Sequence, residues 1–164
     1  MALRTVLVFP DSRLRNIAQE ITSFDDELSV LAADMAETMY AENGIGLAAI
    51  QINEQKRIIT VDVSEDQSGL ITFINPKILK LSGEQVCKEG CLSVPEIYAE
   101  VTRAEKITVD AQNIKGEKFT IEADGLLAVC IQHEIDHLDG KVFVDYLSPI
   151  KRQRIQKKML KRKS

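Results

Sequence analysis

The residues best suited to chemistry lie in one stretch near the C-terminus, Gln132-His133-Glu134-Ile135-Asp136-His137-Leu138. His133 and His137 are the only two histidines in the chain, and they stand four positions apart. On an α-helix, side chains at i and i+4 share one face, so both imidazoles would converge on one point with Glu134 beside them. Two imidazole nitrogens suit a divalent metal, and the adjacent carboxylate suits a general base. The pattern therefore predicts a metal-dependent hydrolytic site.

A third metal ligand has to come from elsewhere in the chain, because a catalytic metal usually keeps three protein ligands and one open position. No third histidine exists, so this ligand must be Asp, Glu or Cys. Cys91 is the leading candidate, since glycine and proline in 89–95 let the backbone approach closely. The alternative is a chance H-E-x-x-H with ordinary buried histidines. Burying two histidines and a glutamate on one apolar helix without a joint role would, however, be costly.

Composition indicates one soluble domain. The chain has 164 residues, of which 45% are hydrophobic and 28% charged, enough to bury a core. No apolar run reaches membrane-spanning length, and we expect the N-terminal run 1–10 to form a strand or an extended arm, not a signal peptide. An odd number of cysteines, three, fits a reducing compartment better than a disulfide scaffold. We therefore expect a cytoplasmic protein without a membrane partner.

Hydrophobic periodicity predicts the elements that must position these residues. An amphipathic helix is expected at 25–42 and a buried helix of about four turns between Asp124 and Gly140. Residues 10–21 should form a turn and a short helix. The expected class is α+β, with antiparallel strands around a central metal-binding helix, N-terminal helices and a C-terminal helix. Strands are predicted at 57–64, 70–74, 77–81, 97–101, 106–112 and 117–123, with a break at Asn75-Pro76 and the last three forming a meander.

The segment 44–51, Gly-Ile-Gly-Leu-Ala-Ala-Ile-Gln, allows two interpretations. It could be a tight turn into a buried strand, or it could be a wall of the active site with Gln51 presenting a neutral amide donor. A phosphate-binding loop is poorly supported, because no Lys-Ser/Thr pair follows the glycines.

The last residues differ sharply in charge from the rest of the chain. Eight of the 21 basic residues fall in 151–163, with no acidic residue among them. Ser148 and Pro149 are typical of a helix start. We therefore divide the chain into a single catalytic domain, 1–147, and a basic helical tail, 148–164. The tail could be a solvated terminal helix or could bind a polyanion such as RNA.

Three segments together resemble the signature motifs of bacterial peptide deformylases. The three segments stand in the family's order and near its spacing, and the likeness extends over nearly the whole chain. The resemblance implies a metal-dependent amide hydrolase that removes the N-formyl group from formyl-methionine at the N-terminus of newly made polypeptides and releases formate. The segments are 44–51, Glu89-Gly90-Cys91-Leu92-Ser93 and Gln132-His133-Glu134-Ile135-Asp136-His137.

The same resemblance implies roles for individual residues. Three side chains would hold one divalent metal ion, usually Fe²⁺ in the family, with Zn²⁺, Ni²⁺ or Co²⁺ able to replace it. The metal ligands would be Cys91, His133 and His137. The catalytic groups would be Glu134, the Gln51 amide and the Leu92 backbone N–H. The pocket for the methionine side chain would involve Ile45, Gly46, Leu126, Val129 and Cys130.

The resemblance also implies partners. The substrates would be N-formylmethionyl nascent peptides, and the basic helix at 149–163 would contact the ribosome, as in bacterial members of the family. We expect a monomer. Two other functions remain open from the residues: a zinc peptidase that cleaves internal bonds, and a non-enzymatic ribosome-binding protein with a structural metal.

Two further expectations concern single residues. Tyr98 stands where some family members carry an arginine that contacts the peptide, and it cannot supply that charge, so the resemblance does not extend to the peptide preference beyond methionine. Arg103 is expected to pair with Glu89 or Asp136 and brace the metal site.

Overall fold

The elements of this computed structural model are described over residues 2–162, and they combine helices with antiparallel strands. The α+β class predicted from the sequence is confirmed. The α-helices are α1 (Asp26–Ala41), α2 (Gly125–Leu138) and α3 (Pro149–Arg162). The strands are β1 (Gly46–Ala48), β2 (Ile58–Val61), β3 (Ile71–Ser82), β4 (Gln85–Cys91), β5 (Val94–Arg103), β6 (Lys106–Gln112) and β7 (Lys118–Asp124). Short 3₁₀ helices cover Ser12–Arg15, Ala49–Ile52 and Phe143–Tyr146.

The strands form two antiparallel sheets. The larger sheet has the order β1-β2-β3-β6-β7, and the smaller one is the β4-β5 hairpin. The predicted meander of three strands is therefore wrong, because β5 pairs with β4 and only β6 pairs with β7. Strand β4 was not predicted from the sequence. Gln85–Cys91 is polar and contains a glycine, so it lacks the apolar alternation that is typical of a strand.

The predicted break at Asn75-Pro76 is also wrong, because β3 runs through it as one strand. The chain makes a bulge there, with Asn75 at φ 53° and a register shift between Ile74 and Lys77. The Asn75 amide holds the bulge in place, since it accepts from the Ile21 N–H and donates to the Ile21 carbonyl, both at 2.8 Å.

Helix α1 agrees with the sequence prediction. Asp25 caps it by accepting from the Leu28 N–H at 3.1 Å, and Met35 and Met39 are fully buried in its apolar face. The short helix expected within 10–21 is confined to Ser12–Arg15. The chain beyond it is extended enough to make a parallel bridge between Gln19 and Lys56.

Helix α2 packs against the larger sheet in the hydrophobic core. Ala128, Ile131 and Ile135 share one buried cluster with Ile59 of β2 and Phe73 of β3. The helix occupies the predicted four turns. Because one face of α2 packs on the sheet, another face carrying the histidines is left to meet the β4-β5 hairpin.

The N-terminal run is an extended arm, one of its two expected forms. The Leu7 N–H donates to the Gln51 carbonyl, and the Phe9 N–H donates to the Ser93 carbonyl, both at 2.7 Å. The arm therefore ties the segment after β1 to the turn between β4 and β5. These are the two segments whose approach the candidate site requires.

Helix α3 starts as predicted and packs on the rest of the protein through one side. The Lys151 N–H donates to Ser148 Oγ at 3.3 Å, and Met159 is buried with Phe9 and Val101. Lys163 of the predicted basic helix lies outside the described residues, as do Met1 and Ser164. Between residues 2 and 162, no helix is both long and apolar enough to cross a membrane.

The burial of Met159 predicts that α3 contributes to stability. We expect Met159→Ala to lower the free energy of unfolding by about 2 kcal/mol through lost packing. Leu160→Ala, one residue on and half exposed, should change it by no more than about 0.5 kcal/mol. Urea unfolding of the two variants tests this, and equal stabilities would show that α3 is not packed on the core.

Candidate active site

The fold brings together the three side chains singled out as metal ligands. Ligand atoms of Cys91, His133 and His137 all lie within 4.8 Å of one another. Cys91 ends β4, and its Sγ is 3.3 Å from Nε2 of His137. Both histidines are buried on α2, with ring centroids 5.1 Å apart. A thiolate with two imidazoles at this spacing suits a four-coordinate divalent ion with one position left open.

The orientation of His133 also fits a bound metal. Its Nδ1 lies 2.8 Å from Oε1 of the buried Glu89, which fixes Nδ1 as the protonated nitrogen. Nε2 is then left with its lone pair free for a ligand bond. The His137 ring offers Nε2 on the Cys91 side, while its buried Nδ1 has no hydrogen-bond partner among the described residues.

Arg103 holds Glu89 in place. Its guanidinium donates to both Glu89 oxygens, from Nε at 2.6 Å and from Nη2 at 2.8 Å. Nη1 donates to Asp136 Oδ2 at 2.7 Å. The sequence analysis expected one of these two partners, and Arg103 pairs with both. A bidentate, charge-assisted pair of this kind is geometrically specific as well as strong.

Burial and charge together set the protonation of these groups. Burial alone would raise the pKa of Glu89, but the hydrogen bonds from Arg103 and His133 outweigh it and lower that pKa. Burial also lowers the pKa of His137, and the positive charge of Arg103 lowers it further. The carboxylate and the neutral imidazole are the forms that a metal site requires.

Glu134 stands beside the three ligands in a tight, buried place. Its side chain lies against Gly46 of β1, so closely that a Cβ there would overlap the carboxylate and stand 3.0 Å from Cγ and Cδ. Oε1 is buried with no hydrogen-bond partner among the described residues. Burial raises the pKa of Glu134 to about 7, against the opposing charges of His133 and Arg103. A carboxyl group whose pKa lies near the working pH can both accept and donate a proton.

Segment 44–51 forms the buried strand β1 and a 3₁₀ turn, as one of its two interpretations expected. Gly44, Ile45 and Gly46 also line the cavity described below, while the role of Gln51 as an amide donor stays a prediction. Gln51 Oε1 accepts from the Ala48 N–H at 2.9 Å, which turns the amide nitrogen toward the ligands. Nε2 lies 3.5 Å from Cys91 Sγ and 3.1 Å from Ser93 Oγ.

A cavity of about 520 Å³ opens onto these groups. One side is the stretch from Glu42 to Gly46, and the opposite side is β4 with the following turn. Its floor is a single face of α2, because Leu126, Val129, Cys130, His133 and Glu134 recur at helical spacing. All five residues expected to form the methionine pocket line it: Ile45, Gly46, Leu126, Val129 and Cys130.

Cys87 lines the same cavity and was not singled out from the sequence. The available signal was its spacing, since Cys87, Glu89 and Cys91 alternate along β4 and side chains at i, i+2 and i+4 share one face of a strand. That signal could be used only once β4 was known to be a strand.

Tyr98, the residue that departs from the family pattern, lies at the rim of the cavity. Its ring covers Gly90, where a Cβ would come within 2.6 Å of ring carbon Cε1. Glu96, also at the rim, has φ 66°, and its Oε2 lies 3.6 Å from Nη1 of Arg162 in α3. An exposed aromatic ring and a carboxylate therefore border the path that a peptide would take from the cavity.

The fold and these groups define a class of protein: a metal-dependent hydrolase with an H-E-x-x-H helix and a cysteine as third candidate ligand. Comparison with known proteins narrows the class. The sequence model of the family described as polypeptide deformylase matches residues 3–153.

Individual relatives give the same result. The peptide deformylase of Pseudoalteromonas translucida is 59% identical over 98% of this chain and 96% of its own length. That of Neisseria gonorrhoeae is 53% identical over 99% and 97%. The crystal structure of a peptide deformylase from Legionella pneumophila has a TM-score of 0.95 at 48% identity, covering 99% of this chain and 96% of that one. The Ehrlichia chaffeensis peptide deformylase in complex with actinonin has a TM-score of 0.93 at 40% identity, covering 99% and 98%.

The chain belongs to the peptide deformylase family. It is a metal-dependent hydrolase that removes the N-formyl group from the formyl-methionine of newly made polypeptides. Family membership decides against the two alternatives left open by the residues, the internal peptidase and the non-enzymatic binding protein.

The contact between Gly46 and Glu134 generates a prediction. A methyl group in Gly46→Ala would displace the Glu134 carboxylate, so formate release should fall by about 100-fold or more. Metal content should not change, because the nearest neighbour of the added methyl group is Glu134, which is not one of the three candidate ligands. Formate release and metal content are measured on the same sample. Gly69→Ala, in the loop after β2, is the matched control, and an equal loss in both variants would contradict a specific effect on Glu134.

Proposed function

We propose that Cys91, His133 and His137 hold one divalent metal ion at the end of the cavity. The observation that carries this proposal is the clustering of three ligand atoms within 4.8 Å beside a buried carboxylate. When bound, the ion supplies Lewis-acid chemistry: it lowers the pKa of a water molecule and polarises the formyl oxygen. Ferrous iron is the metal that we propose; the thiolate and imidazole set is also compatible with Zn²⁺, Ni²⁺ or Co²⁺.

Glu134 is the proton carrier of the reaction. Its buried carboxylate takes a proton from the attacking water and later gives it to the leaving amine of methionine. Its position supports this role, since it lies next to the ligands on α2 and against Gly46 at the cavity wall. The enclosure by β1 keeps the carboxylate in one orientation, which avoids reorganisation during the reaction.

Gln51 and the Leu92 backbone N–H stabilise the negative charge that develops on the formyl oxygen. The Gln51 amide is oriented by Ala48, so its nitrogen points toward the site. Leu92 lies in the tight turn between β4 and β5, directly after Cys91. Preformed donors of this kind stabilise the transition state without having to rearrange.

The methionine side chain of the substrate occupies the floor of the cavity. Its walls there come from Ile45, Gly46, Leu126, Val129 and Cys130. An apolar, sulfur-lined surface suits a flexible thioether. Burial raises the pKa of Cys130 and keeps its thiol neutral, so this wall carries no charge.

The first experiment is formate release from formyl-Met-Ala-Ser by anaerobically purified protein, with metal content read on the same sample. We expect turnover with about one iron per chain and a loss of at least about 100-fold in Glu134→Gln with the metal retained. Cys91→Ser should lose the metal itself. A loaded metal without formate release would contradict the proposed roles, and so would full activity in Glu134→Gln.

We also propose that α3 contacts ribosomal RNA, and that the protein acts as a monomer in the cytoplasm. The seven basic side chains of α3 within the described residues are all exposed, while Met159 anchors the helix from the other side. Clustered cations of this kind bind a phosphate backbone in a salt-dependent way. They are Lys151, Arg152, Arg154, Lys157, Lys158, Lys161 and Arg162.

Charge reversal tests the contact without disturbing the packed side of α3. The double variant Lys157→Glu, Lys158→Glu should strongly reduce co-sedimentation with ribosomes at low salt, because two lysine contacts that neutralise RNA phosphates are lost. Lys115→Glu with Lys118→Glu makes the same change in net charge near the β6-β7 turn and should leave co-sedimentation unchanged. Equal effects from the two pairs would rule out a specific role for α3.

A further inference from the structure

We infer that Tyr146 is a positioning residue for the metal site, acting through Arg103 and Asp136. The inference rests on the proposed role of His133 and His137 as metal ligands. Tyr146 lies in the 3₁₀ helix Phe143–Tyr146, after α2, and it does not line the substrate cavity.

Tyr146 makes two contacts with the charged network behind the ligands. Its hydroxyl donates to Asp136 Oδ2 at 2.6 Å, the oxygen that also accepts from Arg103 Nη1 at 2.7 Å. Its ring faces the Arg103 guanidinium, with 5.0 Å between the Arg103 Cζ and the ring centroid. The guanidinium is thus bound at its edges by two carboxylates and on its face by an aromatic ring.

These contacts hold the plane of the Arg103 guanidinium in one orientation. Arg103 can donate to both oxygens of Glu89 only if the plane of its guanidinium is held. Glu89 in turn accepts a hydrogen bond from His133 Nδ1–H. A tilt of the guanidinium would therefore move Glu89, turn the His133 ring and change the direction of its Nε2 lone pair.

The same 3₁₀ helix contacts the candidate metal site through a second residue, Phe143. Residues i and i+3 lie on one face of a 3₁₀ helix, and the Phe143 ring stacks on His133 with centroids 6.0 Å apart. Phe143 is fully buried, whereas Tyr146 is 49% exposed. Core packing therefore accounts for Phe143, but it does not account for the half-exposed Tyr146, whose hydroxyl contacts Asp136 and whose ring faces Arg103.

Tyr146→Phe tests the role, since it removes the hydroxyl and keeps the ring. Tyr40→Phe is a matched control, because the Tyr40 hydroxyl also donates at 2.6 Å to a carboxylate, that of Asp62, which pairs with Ser64 instead of Arg103. The two variants should lose similar stability in urea unfolding. Only Tyr146→Phe should release metal faster to a chelator, by a few-fold to about tenfold, below the roughly 10–100-fold typical of groups bonded directly to a ligand.

Cobalt-substituted protein gives a readout other than activity. The thiolate-to-cobalt absorption and the visible ligand-field bands report the ligand geometry, and they should shift in Tyr146→Phe and stay as in the unchanged protein in Tyr40→Phe. In Asp136→Asn protein, adding Tyr146→Phe should produce no further shift, because the hydroxyl acts through that carboxylate.

The possible failures are distinct. Identical cobalt spectra and metal release rates in the two Phe variants would overturn the positioning role while leaving the metal site intact. Absence of the thiolate band in the unchanged cobalt protein would instead overturn the ligand assignment, and the inference with it.

Discussion

The structure depends on one buried ion pair, between Arg103 and Glu89. Both side chains are about 4% exposed or less, so removing either would leave the other charge buried without its bidentate partner, at a cost of up to about 3–5 kcal/mol. The pair also has a chemical consequence, because Glu89 is the partner of His133. Charge compensation inside the protein and orientation of the proposed ligand His133 thus depend on the same carboxylate.

This constraint explains why the site joins two sheets. His133 comes from α2, which is packed on the five-stranded sheet, while Glu89 and Arg103 come from the β4-β5 hairpin. The hairpin can present Cys91 to the histidines only if it is held against α2. The Arg103–Asp136 pair does this from behind the ligands, and the N-terminal arm does it from the side, by binding the Ser93 carbonyl.

The substrate side of the site follows a different physical rule. There the walls are apolar and the glycines permit close approach, so that Glu134 stands against Gly46 with no room for another atom. Burial then raises the pKa of Glu134, whereas the charge network behind the ligands lowers that of Glu89. In the proposed mechanism, their surroundings thereby suit the two carboxyl groups to different tasks: Glu89 would orient a ligand, and Glu134 would carry a proton.

The sequence by itself determined the α+β class, helices α1 and α2 and the histidine pair, because these rest on local spacing. The family and the role of Cys91 came from the resemblance of three motifs taken together. His133 and His137 share a helix face whatever the rest of the fold does. Only the tertiary structure decided the pairing of β4 with β5, the continuity of β3 through Asn75 and the burial of Met159. Each of these depends on contacts between residues distant in sequence. A polar strand or a side-chain clamp across 54 positions, such as that of Asn75 on Ile21, leaves no local pattern to detect.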